Sequence, residues 1–97
     1  MRVDKLLWFL RLVKTRPLAL AMAEEGRIRL NGRRIDRAHQ KIGTGDILTL
    51  PIATGVLVIE VLCLPVRRGP SSEALACYRV LDGRPADLIA ARQSNDA

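Results

Sequence analysis

A chain of 97 residues, 48% hydrophobic, is long enough for one modest core and too apolar to be a disordered tail. It holds one Trp, one Phe and one Tyr, which excludes single-strand binding through rows of stacked bases. The net charge is +6, and all of that excess lies in residues 1–50, with 11 Lys/Arg against 5 Asp/Glu, whereas residues 51–97 carry 5 of each. A one-sided excess implies a basic face and a polyanionic partner.

The first predicted helix runs from Asp4 to about Val13. Asp4 reads either as its cap or as the ion-pair partner of a neighbouring arginine. On a helical wheel Val3, Leu6, Phe9, Leu10 and Val13 gather on one side, with Lys5, Trp8 and Arg11 towards the other. Trp8 reads as a base-stacking group or as a partly buried side chain. The apolar stretch 6–13 is interrupted by Arg11, is followed by Lys14 and lacks a small-residue cleavage site, so it is not a signal peptide. No apolar run is long enough to span a bilayer, which implies no membrane partner and a cytoplasmic protein.

Lys14-Thr15-Arg16-Pro17 is a corner, with Thr15 or Arg16 as N-cap and Pro17 tolerated in the first helical turn. A second helix over residues 18–25, rich in Ala and Leu, stops at Gly26. Then comes the most informative stretch, Gly26-Arg27-Ile28-Arg29-Leu30-Asn31-Gly32-Arg33-Arg34. Ile28 and Leu30 alternate with Arg27 and Arg29 at the period of a half-buried strand, so both arginines are expected to point outward. Asn31-Gly32 predicts a type I′ hairpin turn, because both central residues need positive φ. Arg33 and Arg34 begin the return strand. Arginine presents five fixed donors that match phosphate oxygens, so four of them around one tight turn suit a nucleic acid.

Residues 36–42 read as a loop and Gly43-Thr44-Gly45-Asp46 as a turn. Residues 47–50 form a strand, and Pro51 and Gly55 bracket another turn. Residues 56–64 form a longer apolar strand, buried on both faces or on one face against the helices. Arg67-Arg68-Gly69-Pro70 is a smaller basic loop, equally a second RNA contact or a solvated loop. Ser71 or Ser72 caps a short helix through about Leu81, with Glu73 in its first turn.

Cys63 and Cys77 are expected as two reduced, buried thiols, although a disulfide stays open. They lack metal-ligand spacing, and His39 is distant in sequence and has no assigned role. The chain carries no Gly-rich phosphate loop, no spaced carboxylate pair and no Cys/His cluster, which implies a binding protein rather than an enzyme, with no cofactor and no metal.

Several of these motifs taken together resemble a known family. Arg2-Val3-Asp4-Lys5-Leu6-Leu7, Lys14-Thr15-Arg16, Glu25-Gly26-Arg27-Ile28, Asn31-Gly32 and Gly45-Asp46 are similar to the RNA-binding domain first described in small-subunit ribosomal protein four. Leu7-Trp8 with Arg11, and Arg67-Arg68-Gly69-Pro70 followed by Ser72-Glu73-Ala74 and Tyr78, further resemble the ribosome-associated heat-shock protein fifteen group. That resemblance implies binding to ribosomal RNA and recycling of stalled large subunits that still carry a peptidyl-tRNA. The group's best-known members end in a long basic extension. Here residues 83–97 carry only Arg84 and Arg92 against Asp87 and Asp96.

The expected fold is a small α+β domain of that family's kind (the alpha-L motif). Two N-terminal helices pack on a curved, mostly antiparallel sheet of four to five short strands, with a short C-terminal helix. Residues 1–82 form one RNA-binding domain, with a core motif over 2–50 and an extension over 51–82. Residues 83–97 form a tail that frays after about Ala90. The expected RNA-contacting set is Arg2, Lys5, Arg11, Lys14, Thr15, Arg16, Arg27, Arg29, Asn31, Gly32, Arg33 and Arg34. The expected partners are ribosomal RNA or the large subunit, with tRNA beside it, bound by a monomer through phosphates and shape. DNA presents the same phosphates and stays open as a second polyanion. The competing readings are a protein-interaction adaptor and an RNA-targeting subunit for a separate enzyme.

Overall fold

The structure, a computed structural model, describes residues 1–53 and 55–88. The elements run α1 (Val3–Phe9), α2 (Arg16–Glu24), β1 (Ile28–Leu30), β2 (Arg33–Ile35), β3 (Ile47–Ile52), β4 (Gly55–Val61), α3 (Ser71–Ala76) and β5 (Tyr78–Asp82). The strands form one sheet in the order β2-β1-β3-β4-β5, every neighbouring pair antiparallel. A single core joins helices and sheet: Leu6 and Leu7 from α1, Ala19 and Ala23 from α2, Ile28, Leu48, Leu57 and Ile59 from the strands are all fully buried. Each such Leu or Ile contributes about 1.5–3 kcal/mol relative to exposure.

The first helix is shorter than the apolar periodicity predicts. It ends at Phe9, and Arg11 takes the left-handed conformation at φ 59°. The N–H of Arg11 bonds the Trp8 carbonyl at 3.1 Å and that of Leu12 bonds the Leu7 carbonyl at 3.0 Å, a Schellman stop with Arg rather than Gly at the left-handed position. This stop turns Leu12 and Val13 into the core, where both are buried. The expected apolar side of the helix is therefore buried as read, although its last part is not helical.

α2 has Thr15 as N-cap, its hydroxyl accepting from the Leu18 N–H at 3.4 Å, and starts at Arg16 rather than 18. Gly26, at φ 72°, ends it with the same pair of bonds, from Gly26 to Ala23 and from Arg27 to Met22.

Five sequence expectations are corrected beyond the hairpin. β3 continues through Pro51 to Ile52, because β1 pairs only with Leu48 and Thr49 and leaves the β1 side of Pro51 without a ladder bond to make. β4 begins at Gly55, ends at Val61 and buries alternate residues Leu57, Ile59 and Val61, so one face only is covered. The final helix stops at Ala76. Tyr78 to Asp82 is a strand instead, because the free edge of β4 offers a ladder that a one-turn extension of the helix does not. That helix follows Pro70 at its N-cap, so neither Ser71 nor Ser72 is the cap. Cys63 is exposed, and only Cys77 is buried.

Past β5 a 3-10 turn over Pro85–Asp87 leads to Leu88, which is fully buried and bridges Ile52. Packing thus continues beyond the expected limit at residue 82. The expected fraying after Ala90 lies outside the described residues.

Candidate nucleic-acid interface

The hairpin of β1 and β2 pairs Ile28 with Ile35, Arg29 with Arg34 and Leu30 with Arg33 around Asn31-Gly32. Both turn residues have positive φ, 51° and 84°. Ile28 and Ile35 are buried, so Arg29 and Arg34 stand directly opposite each other on the outer side. Like charges in that position are destabilising unless a polyanion neutralises them. Among the described residues Lys14, Arg29 and Arg33 make no ion pair and no side-chain hydrogen bond. Arg34 lies across Gly26, where a Cβ would collide with its guanidinium. That position is the C-terminus of α2, whose dipole favours a cation. Arg27 sits 3.7 Å from Glu25 at the same helix end. Glycine at 26 therefore serves both the helix stop and the seat of Arg34.

The turn is locked from below. The Asn31 side chain accepts from the Ile47 N–H at 2.8 Å and donates to Asp46 at 3.1 Å, while its own N–H donates to the Ile47 carbonyl at 2.7 Å. The other Asp46 oxygen accepts from the Gly43 N–H at 2.8 Å. The Asn-Gly and Gly-Asp motifs are thus two halves of one hydrogen-bonded junction. Asn31 has both ends of its amide engaged there, so its first role is to aim the hairpin. Gly32 is open, with nothing within 4 Å of where a Cβ would stand.

Arg2 and Arg16 gather on a different anchor. Asp4 is 1% exposed and is not the helix cap, a place taken by Arg2 without a side-chain bond. Arg2 makes a two-pronged contact with Asp4 at 3.1 Å on each oxygen, Arg16 reaches it at 3.3 Å, and the Lys5 N–H donates at 2.8 Å. A buried carboxylate that holds two half-exposed arginines leaves donors of both pointing to solvent. Lys5 lies 5.3 Å from the Phe9 ring centre.

The loop after the hairpin ties this group to β2. Val3 donates to the Gln40 carbonyl at 2.8 Å, Ile42 donates to the Met1 carbonyl at 2.7 Å, and Arg2 bridges Lys41. Gln40 shares with Leu30, Asn31, Arg33, Arg34 and Ile35 a cleft of about 450 Å³ beside the hairpin. Sequence reasoning left out Gln40 and Lys41. The available signal was the basic character of Arg37 and Lys41 in a loop next to the hairpin.

Arg11 departs from the expected rim. Its Nε donates to the Gly69 carbonyl at 2.7 Å, and Arg68 returns the link by donating to the Trp8 carbonyl at 3.2 Å and lying 5.3 Å over the Trp8 ring. Burial, and then the nearby charge of Arg11, lowers the Arg68 pKa from its ordinary value. Arg67 pairs with Glu73 at 2.6 Å, and that hydrogen bond raises its pKa. The second basic loop is thus lashed to the end of α1, and Trp8 is covered by Arg68.

Among the described residues no helix is long and apolar enough to cross a membrane.

Comparison with known proteins gives a consistent picture. The family model of the S4 domain matches residues 1–48. The RQC P-site tRNA stabilizing factor of Bacillus subtilis is 38% identical over 61 residues, covering 63% of this chain and 70% of that protein. Heat shock protein 15 of Escherichia coli K12 is 35% identical over 77 residues, 79% of this chain, but this spans only 57% of that relative's length. The trimeric structure of Vibrio cholerae heat shock protein 15 superposes with a TM-score of 0.77 at 31% identity, covering 99% of this chain and 92% of that one.

Proposed function

The chain belongs to the S4 domain family, and from that premise we propose that it binds structured ribosomal RNA and associates with the large ribosomal subunit. The observation that carries this reading is the Arg29–Arg34 pair. Arg29 and Arg34 are cross-strand partners on the outer side of the hairpin, where Arg29 has no carboxylate partner among the described residues. The RNA is held through phosphates, with Arg33, Lys14 and the outer donors of Arg2, Arg16 and Arg27 extending the contact. Lys5, Thr15, Asn31 and Gly32 position that face rather than carry it. Arg11 is moved out of the contact set.

The names of the relatives favour a role in the heat-shock response and beside a P-site tRNA, and the motif resemblance adds the recycling of stalled large subunits. The protein acts by binding alone, without a catalytic step, in the cytoplasm. About five phosphate contacts give a salt slope of roughly −3 to −4.

A second reading, a protein-interaction adaptor, is favoured by the exposure of Val66, Leu75 and Leu81 in the second half of the chain. Light scattering tests it together with the expected monomer, given that the Vibrio cholerae relative is described as a trimer.

Sedimentation of a cell extract through a sucrose gradient at low and high salt tests the main proposal. Co-migration with free large subunits at low salt, lost at high salt, is the expected result. A chain that stays at the top of both gradients yet binds purified structured RNA loses the ribosomal target and keeps the RNA.

A further inference from the structure

Cys63 follows β4 and Cys77 precedes β5, at the end of the β4–β5 pair. The N–H groups of Leu62 and Cys63 both donate to the Cys77 carbonyl, at 2.8 and 3.2 Å, so the two main chains are already held together. The Sγ atoms are 3.1 Å apart, about 1 Å beyond the ~2.05 Å of a disulfide bond. The two thiols differ in access. Cys63 is open to solvent, while Cys77 is 8% exposed, and burial first, then the Cys63 contact, pushes its pKa up to about 11. None of the proposed RNA-contacting residues touches either sulfur among the recorded hydrogen bonds.

We propose that Cys63 and Cys77 are a redox-modifiable dithiol that closes to a reversible intramolecular disulfide by exchange with a low-molecular-weight disulfide. The exposed Cys63 thiolate attacks one sulfur of that disulfide. Its S–S bond breaks, one small thiolate leaves and takes a proton from water, and Cys63 carries the other half as a mixed disulfide. Cys77 then gives its proton to solvent and attacks the Cys63 sulfur. The mixed bond breaks and the second small thiol leaves. Two protein thiols are oxidised and one small disulfide is reduced to two thiols. A cytosolic pair of this kind stays reduced until the small-disulfide level rises, as expected of a redox sensor.

The segment enclosed by the bond carries Arg67, Arg68 and α3. In the reduced protein that segment is held at its middle by Arg68 on Trp8 and Gly69 on Arg11. The disulfide closes its two ends and leaves the Arg29–Arg34 face untouched.

The full-length chain incubated in buffer containing glutathione disulfide, alkylated and analysed by intact mass and peptide mapping tests the proposal. The expected product is a monomer lighter by two hydrogens, alkylated at neither cysteine and returned to two free thiols by dithiothreitol. Cys63→Ser changes an exposed side chain and should leave Cys77 unmodified over the same time. Cys77→Ser should accumulate a lasting glutathione adduct at Cys63. A lasting adduct on the unaltered chain, a disulfide-linked dimer, two thiols that remain alkylatable, or rapid modification of Cys77 in Cys63→Ser each overturns it.

Discussion

Arg33-Arg34 and Arg67-Arg68 are the same dipeptide in two settings. In the hairpin, Arg34 faces Arg29 across the strands and Arg33 stands at the tip without a partner among the described residues. In the loop before α3, Arg67 is taken by Glu73 and Arg68 by the carbonyl and ring of Trp8. Equal charge therefore does different work. The difference lies in the acceptors nearby: a carboxylate six residues downstream (Glu73) and a carbonyl at an α1 end satisfy the second pair. The first pair has Arg29 as its cross-strand neighbour and no ion-pair partner among the described residues.

The largest expected effect breaks this contrast at the hairpin. Replacing Arg29 and Arg34 together by Ala should lower affinity for structured RNA by about 100-fold at low salt, taking ~1.5 kcal/mol for each charged contact. The salt slope should become shallower by about 1.5 to 2, uniformly across RNA sequences. The thermal midpoint should stay within about 2 °C, because relief of a like-charge pair offsets the lost interaction with the α2 terminus. Fluorescence anisotropy over a salt series and a circular-dichroism melt read both. A collapse of the midpoint would make these arginines structural and erase the contrast.

The next test sharpens what aims the hairpin. Asn31→Ala removes two side-chain hydrogen bonds and leaves a residue poorly suited to φ 51°. A loss of about 2 kcal/mol is expected, a fall of roughly 10 °C in midpoint. Asp46→Ala should cost about half of that. In a double-mutant cycle the two should couple by about 0.5–1 kcal/mol, because they share the Asn31–Asp46 bond. Strict additivity would show that the two motifs are independent.

A smaller effect is expected from the second loop. Arg68→Ala loses the Trp8 carbonyl bond and the contact with the ring, worth about 1 kcal/mol together at this half-buried site. The midpoint should fall by about 5 °C while RNA affinity changes less than two-fold. A selective loss of RNA affinity with an unchanged melt would return Arg68 to the binding face.

Much of this contrast was legible in sequence, and its limits are physical. The hairpin was readable because period-two alternation and Asn-Gly act locally, over a few residues. Thr15 as cap and Gly26 as stop were readable for the same reason. What could not be read were the partners supplied from far along the chain. Asp4 was readable as the partner of a neighbouring arginine, but not as the anchor that also collects Arg16, and Arg11 reaches Gly69 across a separation that no periodicity records. The strand at 78–82 was hidden because Tyr78, Arg79, Val80 and Leu81 form a short run that fits helix or strand equally, and only the unpaired edge of β4 decides it. Pro51 misled for a related reason. It is a turn residue by propensity, but a strand residue where the neighbouring ladder has already ended.

Arg11 isolates the least visible of these long-range effects, and two substitutions separate its parts. The side chain stabilises the fold through Gly69, yet its backbone sits at φ 59°, which costs a non-glycine residue about 1 kcal/mol. Arg11→Ala keeps that backbone cost and loses the bond, so it should destabilise by about 1 kcal/mol. Arg11→Gly loses the same bond but removes the cost, so its midpoint should lie within about 2 °C of the parent. RNA affinity should be unchanged in both, since the guanidinium points into the loop and not to the hairpin face. Equal destabilisation by Ala and Gly would mean that the left-handed stop of α1 carries no strain. A matching loss of RNA affinity in both, with little change in melting, would return Arg11 to the hairpin's side of the comparison.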